Sequence, residues 1–248
     1  MTTMNSDSVN YRISDEPIDY FVKRNNHPAR CQYPQNLRNG LDVKLSPSIP
    51  FLPIDDWLLT EDWNEMLAEA VAIEKDYVLH RSRENHQGWS SLCLHGISSS
   101  HTEGPEIYGY TNENCPWQWT DMSDRCPTIT SFFKEKFDYT SYHRIRIMKL
   151  APGGQTRPHR DYIAEEKNNI GSINIALNNP DGCYFYMDNV GYLPWTQGRA
   201  IALNLSHVHS VVNNSNENRY HLIIHGNLGK SWSHRFYSNY RNWKKTYS

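Results

Sequence analysis

Paired cysteines, an excess of charge of one sign and long apolar runs are all missing from this 248-residue sequence. The five cysteines, Cys31, Cys93, Cys115, Cys126 and Cys183, are odd in number and form no C-x-x-C pair. That speaks against a disulfide framework and against a cysteine-built zinc site. Reduced thiols, and with them a cytoplasmic location, are the expectation. With 25 Lys+Arg against 27 Asp+Glu the formal charge is −2 and no block of like charge stands out. A purely electrostatic grip on nucleic acid or on an anionic membrane is therefore not expected. No stretch approaches the roughly 18 consecutive apolar residues of a membrane span. The polar, acidic segment 1–19 carries no apolar core of a secretory signal.

What is present suits one domain with an appendage. Residues 1–48, rich in Asn, Ser, Asp and Pro, read as an irregular N-terminal arm, and 49–248 as a single domain. Trp63, Met66, Leu67, Ala70 and Val71 repeat at helical spacing and predict a helix over 60–78. Pro127 followed by Ile129, Phe132, Phe133 and Phe137 predicts a second over 127–137. Between them a strand such as Trp89–Leu94 is expected, and Tyr108, Tyr110, Trp117 and Trp119 either line a substrate mouth or complete a core. After Tyr139 come short strand-like runs, 144–150, 170–177, 183–187, 199–205 and 219–226, divided by Gly, Pro and Asn turns. Such punctuation indicates a mainly β fold of the jelly-roll type, with the helices packed on one outer face.

The tripeptide His159-Arg160-Asp161 carries the most chemistry. On a strand, residues i and i+2 share a face, so the imidazole and the carboxylate stand side by side while Arg160 points away. A histidine from a neighbouring strand would complete a two-His, one-carboxylate set that leaves three metal positions open, the arrangement of non-haem Fe(II) oxygenases. A solvent-facing coincidence gives the same letters. His207 and His209 compete for the third position. Ten residues past His209 comes Arg219, after an Asn-rich turn, and a hairpin would set it beside His209 with its guanidinium inside the barrel. Buried alone, that charge costs several kcal/mol, so it implies an anion, and its planar fork suits the far carboxylate of 2-oxoglutarate. His221 and His225 share the parity of Arg219 and either face the cavity or sit hydrogen-bonded in its wall. Arg144 and Arg146 alternate on the strand before Pro152, facing an acidic substrate or a sheet-edge ion pair.

The stretch Pro152–Asp161, then Trp195-Thr196-Gln197-Gly198-Arg199, then His209–Asn213 and Arg219, resembles the aspartyl/asparaginyl β-hydroxylase family and the bacterial free-proline hydroxylases related to it. The resemblance covers about 142–226. It implies a double-stranded β-helix, cupin-like and catalytic over that range, with Fe(II) and 2-oxoglutarate as cofactor and co-substrate. It further implies that His159, Asp161 and His209 are the iron ligands and that Arg219 anchors the distal carboxylate of 2-oxoglutarate. Peptide hydroxylases of the family often carry an Arg-x-His pair on the strand 171–177; here those positions hold Ser172 and Asn174, which become the candidate contacts for the other carboxylate. The loop 162–169 is longer than in those relatives. Asp161 stands where the animal peptide hydroxylases have glycine, which leans the resemblance toward the small-molecule branch.

The expected activity is hydroxylation of an amino acid, a peptidyl residue or another small carboxylate-bearing molecule with molecular oxygen. Two alternatives stay open at this point. One is a metal-dependent cupin-type enzyme without 2-oxoglutarate, for which Arg219 is the discriminating residue. The other is a non-catalytic module that senses a small carboxylate. Nucleic-acid demethylases of the AlkB type place a second arginine six residues past the first, where this sequence has His225. The aromatic and basic tail 230–247 is expected to pack across the barrel.

Overall fold

The strand β5 (Tyr139–Gln155) organises the molecule because two different strands share one of its edges. In this computed structural model the residues described are 34, 36–54, 58, 61–81, 86–161 and 171–247. Along one edge of β5 runs β3 (Gln87–Gly96), paired from Gln87↔Gln155 to His95↔Ile145. On the other edge β11 (Arg219–Leu228) pairs as far as Arg219↔Leu150. There it gives way to β10 (His209–Asn213), which meets β5 at Val212↔Gln155. The change of partner falls at Pro152-Gly153-Gly154. The sequence marks this as a turn, yet the strand continues through it, bent where Gly153 takes φ +71°, a backbone conformation L side chains rarely adopt.

Two walls follow from that bend. Beyond β11 lie β6 (Ser172–Ala176), β9 (Ala200–Leu203) and the edge strand β1 (Phe51–Pro53). Beyond β10 lie β7 (Cys183–Met187) and β8 (Gly191–Tyr192). All the pairings are antiparallel. This is the double-stranded β-helix. Both faces of β6 and β9 are buried; β9 accordingly runs apolar from Ala200 through Leu203, while β6 alternates Ile173 and Ile175 with the buried polar Ser172 and Asn174. Two short strands, β2 (Val78–Leu79) and β4 (Gln118–Trp119), attach to β3.

Helices cover the outside. The first helix among the described residues, α1 (Gly40–Leu45), opens on a capping box in which Asn39 accepts from the Asp42 amide and Asp42 accepts from the Asn39 amide. It lies within the arm that the composition suggests is irregular; most of that arm falls outside the described residues. The next helix, α2 (Trp63–Ala72), is shorter than the periodicity predicts. After Ile73 the chain tightens into a 3-10 turn at Glu74–Asp76, and the Tyr77 hydroxyl donates to the carbonyl of Ala70, one of the helix's last free acceptors. A short α3 (Met122–Arg125) leads into α4 (Pro127–Lys136). Cys126 gives the start of α4 no side-chain cap; the Glu69 carboxylate of α2 supplies it, accepting from Thr128 N and Ile129 N at 2.7 and 3.0 Å. The two helices also meet through Trp63 and Phe132, edge to face at 5.6 Å. The tail forms α5 (Ser231–Tyr247), whose Trp243 packs on Phe51 of β1 at 4.3 Å.

Gly198, in the turn before β9, has φ +79°, and a Cβ there would stand 2.5 Å from the Trp63 indole nitrogen. No side chain fits, so a glycine at this place lets α2 settle on the barrel.

Candidate metal centre and its cavity

Past Gln155 the chain runs beside β10. The Thr156 amide donates to the Val211 carbonyl at 2.8 Å, and the Val211 amide donates in return to the Thr156 hydroxyl at 2.8 Å. Three residues on one side then match two on the other, and the next rung pairs His159 with His209: each amide donates to the other's carbonyl, at 3.0 and 2.9 Å. The Asp161 amide donates to the Leu205 carbonyl at 3.1 Å, which turns its carboxylate toward the same point. One ligand atom from each of His159, Asp161 and His209 lies within 4.8 Å of the others. Both rings are held alike. Nδ1 of His159 lies 2.7 Å from the Arg157 carbonyl and Nδ1 of His209 lies 2.9 Å from the His207 carbonyl, so each Nδ1–H donates and each Nε2 keeps its lone pair for a ligand. Phe185 stacks on His209 at 5.6 Å, while His86 and Trp89 flank His159 at 5.1 and 6.4 Å.

Burial tends to raise the Asp161 pKa, but the neighbouring His159, His209 and Arg81 outweigh it and hold the carboxyl well below its usual value. Arg81 makes an ion pair with Asp161 Oδ1 at 2.9 Å. His209 is pushed down to about 4, by burial first and by His159 next. A carboxylate at Asp161 and a neutral imidazole at His209 at neutral pH are protonation states a divalent cation requires. His207, the rejected competitor, lies before β10 and outside the trio.

The cavity beside these residues lies between the two walls, lined from β5 and β11 on one side and from β7 and β10 on the other. Its lining includes Arg219, His221 and Asn174. Arg219 is 6% exposed, and its Nε donates to Asn179 at 3.1 Å while Nη2 donates to His221 Nδ1 at 3.1 Å. If His221 Nδ1 accepts, its proton sits on Nε2, and that buried atom has no partner among the described residues. The guanidinium pairs with no carboxylate there either. Burial brings its pKa down to about 10, leaving it charged at neutral pH. One cation and one orphaned N–H facing a cavity make a fitting cradle for an anion. The hairpin expected between His209 and Arg219 does not form. β10 and β11 pair with different strands, and the turn carries the chain from one wall to the other, because β5 has bent between them.

Ser172 and Asn174 are both buried on β6 and joined by an Asn174 Nδ2 to Ser172 Oγ bond of 3.3 Å. Asn174 borders the cavity; Ser172 borders a wider cleft of about 480 Å³ that meets the cavity at Asp161 and His225. Arg146 lines the cavity and Arg144 the cleft, so neither is a sheet-edge ion pair. Of the clustered aromatics, Trp117 stacks on His143 at 5.2 Å beside the cleft, and Trp119 packs against Tyr142 and His95. The loop 162–169 lies outside the described residues.

A family model described as aspartyl/asparaginyl beta-hydroxylase matches residues 59–227. The chain belongs to the aspartyl/asparaginyl β-hydroxylase family. Membership makes it a hydroxylase. No curated protein matches it. Among solved structures it is similar to a 2OG-Fe(II) oxygenase family oxidoreductase from Burkholderia pseudomallei, at 14% identity and TM-score 0.44, over 81% of this chain and 97% of the other. A Pseudomonas putida prolyl-4-hydroxylase matches at 14% and 0.39, over 71% and 98%. A viral collagen prolyl hydroxylase from Paramecium Bursaria Chlorella virus-1 matches at 12% and 0.41, over 71% and 95%.

For this β-hydroxylase family member, the sequence reading missed Arg81, Trp89 and His80, all of which border the cavity. They precede the H-x-D motif by some 70 to 80 positions, and no local pattern ties them to it. Among the described residues no helix is long and apolar enough to cross a membrane.

Proposed function

We propose that His159, Asp161 and His209 hold ferrous iron and that Arg219, with His221, holds the distal carboxylate of 2-oxoglutarate, in an enzyme that hydroxylates a small carboxylate-bearing substrate. The observation that carries this reading is the pairing of a three-donor face with a buried, carboxylate-free arginine in one cavity. The donors fit the metal: two imidazole nitrogens and one carboxylate leave positions open for further ligands. The orphaned His221 Nε2 fits the co-substrate. Bound together, iron and 2-oxoglutarate convert a substrate C–H to C–OH with O₂, releasing succinate and carbon dioxide.

The chain's own contribution is placement and exclusion. The Arg157 and His207 carbonyls fix the ring orientations, and Phe185 covers one face of the His209 imidazole while Trp89 stands beside His159, limiting water at the centre. Arg219 and His221 fix one end of the dicarboxylate, so its other end meets the metal face. Asn174 offers a further hydrogen bond toward the near carboxylate. A cupin-type chemistry without 2-oxoglutarate gives Arg219 no anion to hold. Cys93, Cys115, Cys126 and Cys183 are buried free thiols, which supports a reducing, cytoplasmic setting.

The test is succinate release from 2-oxoglutarate under air with Fe(II) and a panel of amino acids and peptides. Wild-type protein should turn over, and His159→Ala and Asp161→Ala should not. Equal turnover in either variant would remove that residue from the site.

A further inference from the structure

Arg146 sits on β5 in the cavity wall, 7% exposed, and among the described residues it makes no ion pair with a carboxylate. Its Nη1 is fixed from two sides, donating to the Thr102 carbonyl at 2.8 Å and lying 3.4 Å from His80 Nε2. Arg144 leans on the same carbonyl at 3.5 Å, adding a second positive charge. The other edge of the Arg146 fork is different: Nε is buried with no partner, and Nη2 makes no hydrogen bond to a described residue. A guanidinium anchored through one nitrogen with its Nε–Nη2 edge open presents the two parallel donors that a carboxylate accepts. Leaving that edge empty in a buried place is costly, so the arrangement implies an anion that arrives from outside.

That anion is not the co-substrate held by Arg219. Arg219 stands opposite Leu150 and Arg146 stands opposite Ile223, four residues along the same pair of strands. Four residues of strand span about 13 Å, whereas the carboxyl carbons of 2-oxoglutarate are about 5 Å apart by its bond lengths. A molecule clamped between Arg219 and the metal face leaves Arg146 free. On the rung of Arg146, Asn174 flanks Ile223 from the other side, giving a second polar contact across the strand. His225 adds an orphaned Nδ1 where cavity and cleft meet.

We propose that Arg146 is a specificity-determining residue whose Nε–Nη2 edge binds the free α-carboxylate of a small-molecule substrate, placing its carbon skeleton between the two arginines and over the metal face. This rests on the reading of His159, Asp161, His209 and Arg219 given above, and it narrows the substrate to free amino acids and related small acids.

The experiment is anaerobic titration of the Fe(II)-loaded protein, first with 2-oxoglutarate and then with each of the twenty free L-amino acids and their carboxamides, following the visible absorption of the complex and tryptophan fluorescence. At least one free acid should bind wild-type protein roughly 10- to 100-fold more tightly than its carboxamide, the worth of hydrogen bonds to a charged group. Arg146→Gln should lose that preference and keep 2-oxoglutarate affinity within about twofold; Arg146→Lys should recover part of the preference, and Arg219→Gln should lose 2-oxoglutarate instead. The acid-against-carboxamide comparison needs no variant, so a misfolded Arg146→Gln protein leaves the proposal open to refutation. It is overturned if carboxamides bind as well as acids, if no acid binds, or if Arg146→Gln loses 2-oxoglutarate as Arg219→Gln does. Wild-type protein that binds no 2-oxoglutarate would instead overturn the Arg219 reading on which it stands.

Discussion

Arg81 holds Asp161 by a 2.9 Å ion pair to Oδ1, the oxygen that also lies 3.5 Å from His159 Nε2. A cation entering the trio must share that carboxylate with a guanidinium 80 residues away in sequence. Arg81 therefore opposes the metal by repulsion and by competing for its ligand.

Arg81→Gln removes a positive charge from beside the metal face. Metal affinity should rise about 3- to 10-fold at low ionic strength, since two charges a few ångströms apart at a partly buried site interact by a kcal/mol or more. Calorimetric titration with Fe(II) or Mn(II) checks this, and weaker binding in the variant would show that Arg81 chiefly orients the carboxylate.

Arg219 and His221 act on the co-substrate as a pair. Arg219→Met should weaken 2-oxoglutarate roughly 100-fold or more and His221→Leu roughly 10-fold, because the first removes a buried charge-assisted contact and the second one N–H donor. Metal affinity should change little in either. A loss of metal along with 2-oxoglutarate would place the pair in the metal centre.

The metal-free protein should lose stability in mild acid. His80, His209, His221 and His225 are all held below the ordinary imidazole value, by burial first and then, for all but His209, by neighbouring arginines; His209 lies at about 4. The unfolded chain takes up protons below about pH 6.5 while the folded one resists, so this contribution is complete above 6.5 and is lost as pH falls from there toward 4. Each histidine adds up to about 1.4 kcal/mol per pH unit in that window. Thermal midpoints from pH 7.5 to 4.5 in the presence of a chelator should fall progressively. A flat profile would mean that the histidines are accessible to protons in the folded state.

Gly198→Val forces a β-branched residue into φ +79° and against Trp63. A cost of about 1–3 kcal/mol from backbone strain alone is expected, read as a lower urea midpoint. An unchanged midpoint would show that the turn relaxes freely and that α2 does not depend on it.

The strands at 183–187 and 219–226, the helix at 127–137 and the pair His159 and Asp161 were legible in the sequence, because hydrophobic period, turn residues and H-x-D spacing are local signals; His209, 48 residues past Asp161, was set apart from His207 by the family resemblance. Arg219 was legible as a buried cation but not by route: a hairpin is the short-range reading of ten residues with an Asn-rich turn, and only the bend in β5 at Gly153 sends the chain to the opposite wall. Arg146 showed its parity with Arg144 but not its burial, since Thr102 and His80, which fix it, come from distant segments. Arg81 gave no signal at all. Its place beside Asp161 depends on how β2 and β3 lie against β5.

The most direct measurement is the visible spectrum of the protein with Fe(II) and 2-oxoglutarate under anaerobic conditions. A charge-transfer band saturating at one iron and one 2-oxoglutarate per chain, absent in His209→Ala and displaced to far higher co-substrate concentration in Arg219→Met, is the expected result. Folded wild-type protein that gives no band, or His209→Ala protein that gives the same band, would contradict the assignment of the metal centre.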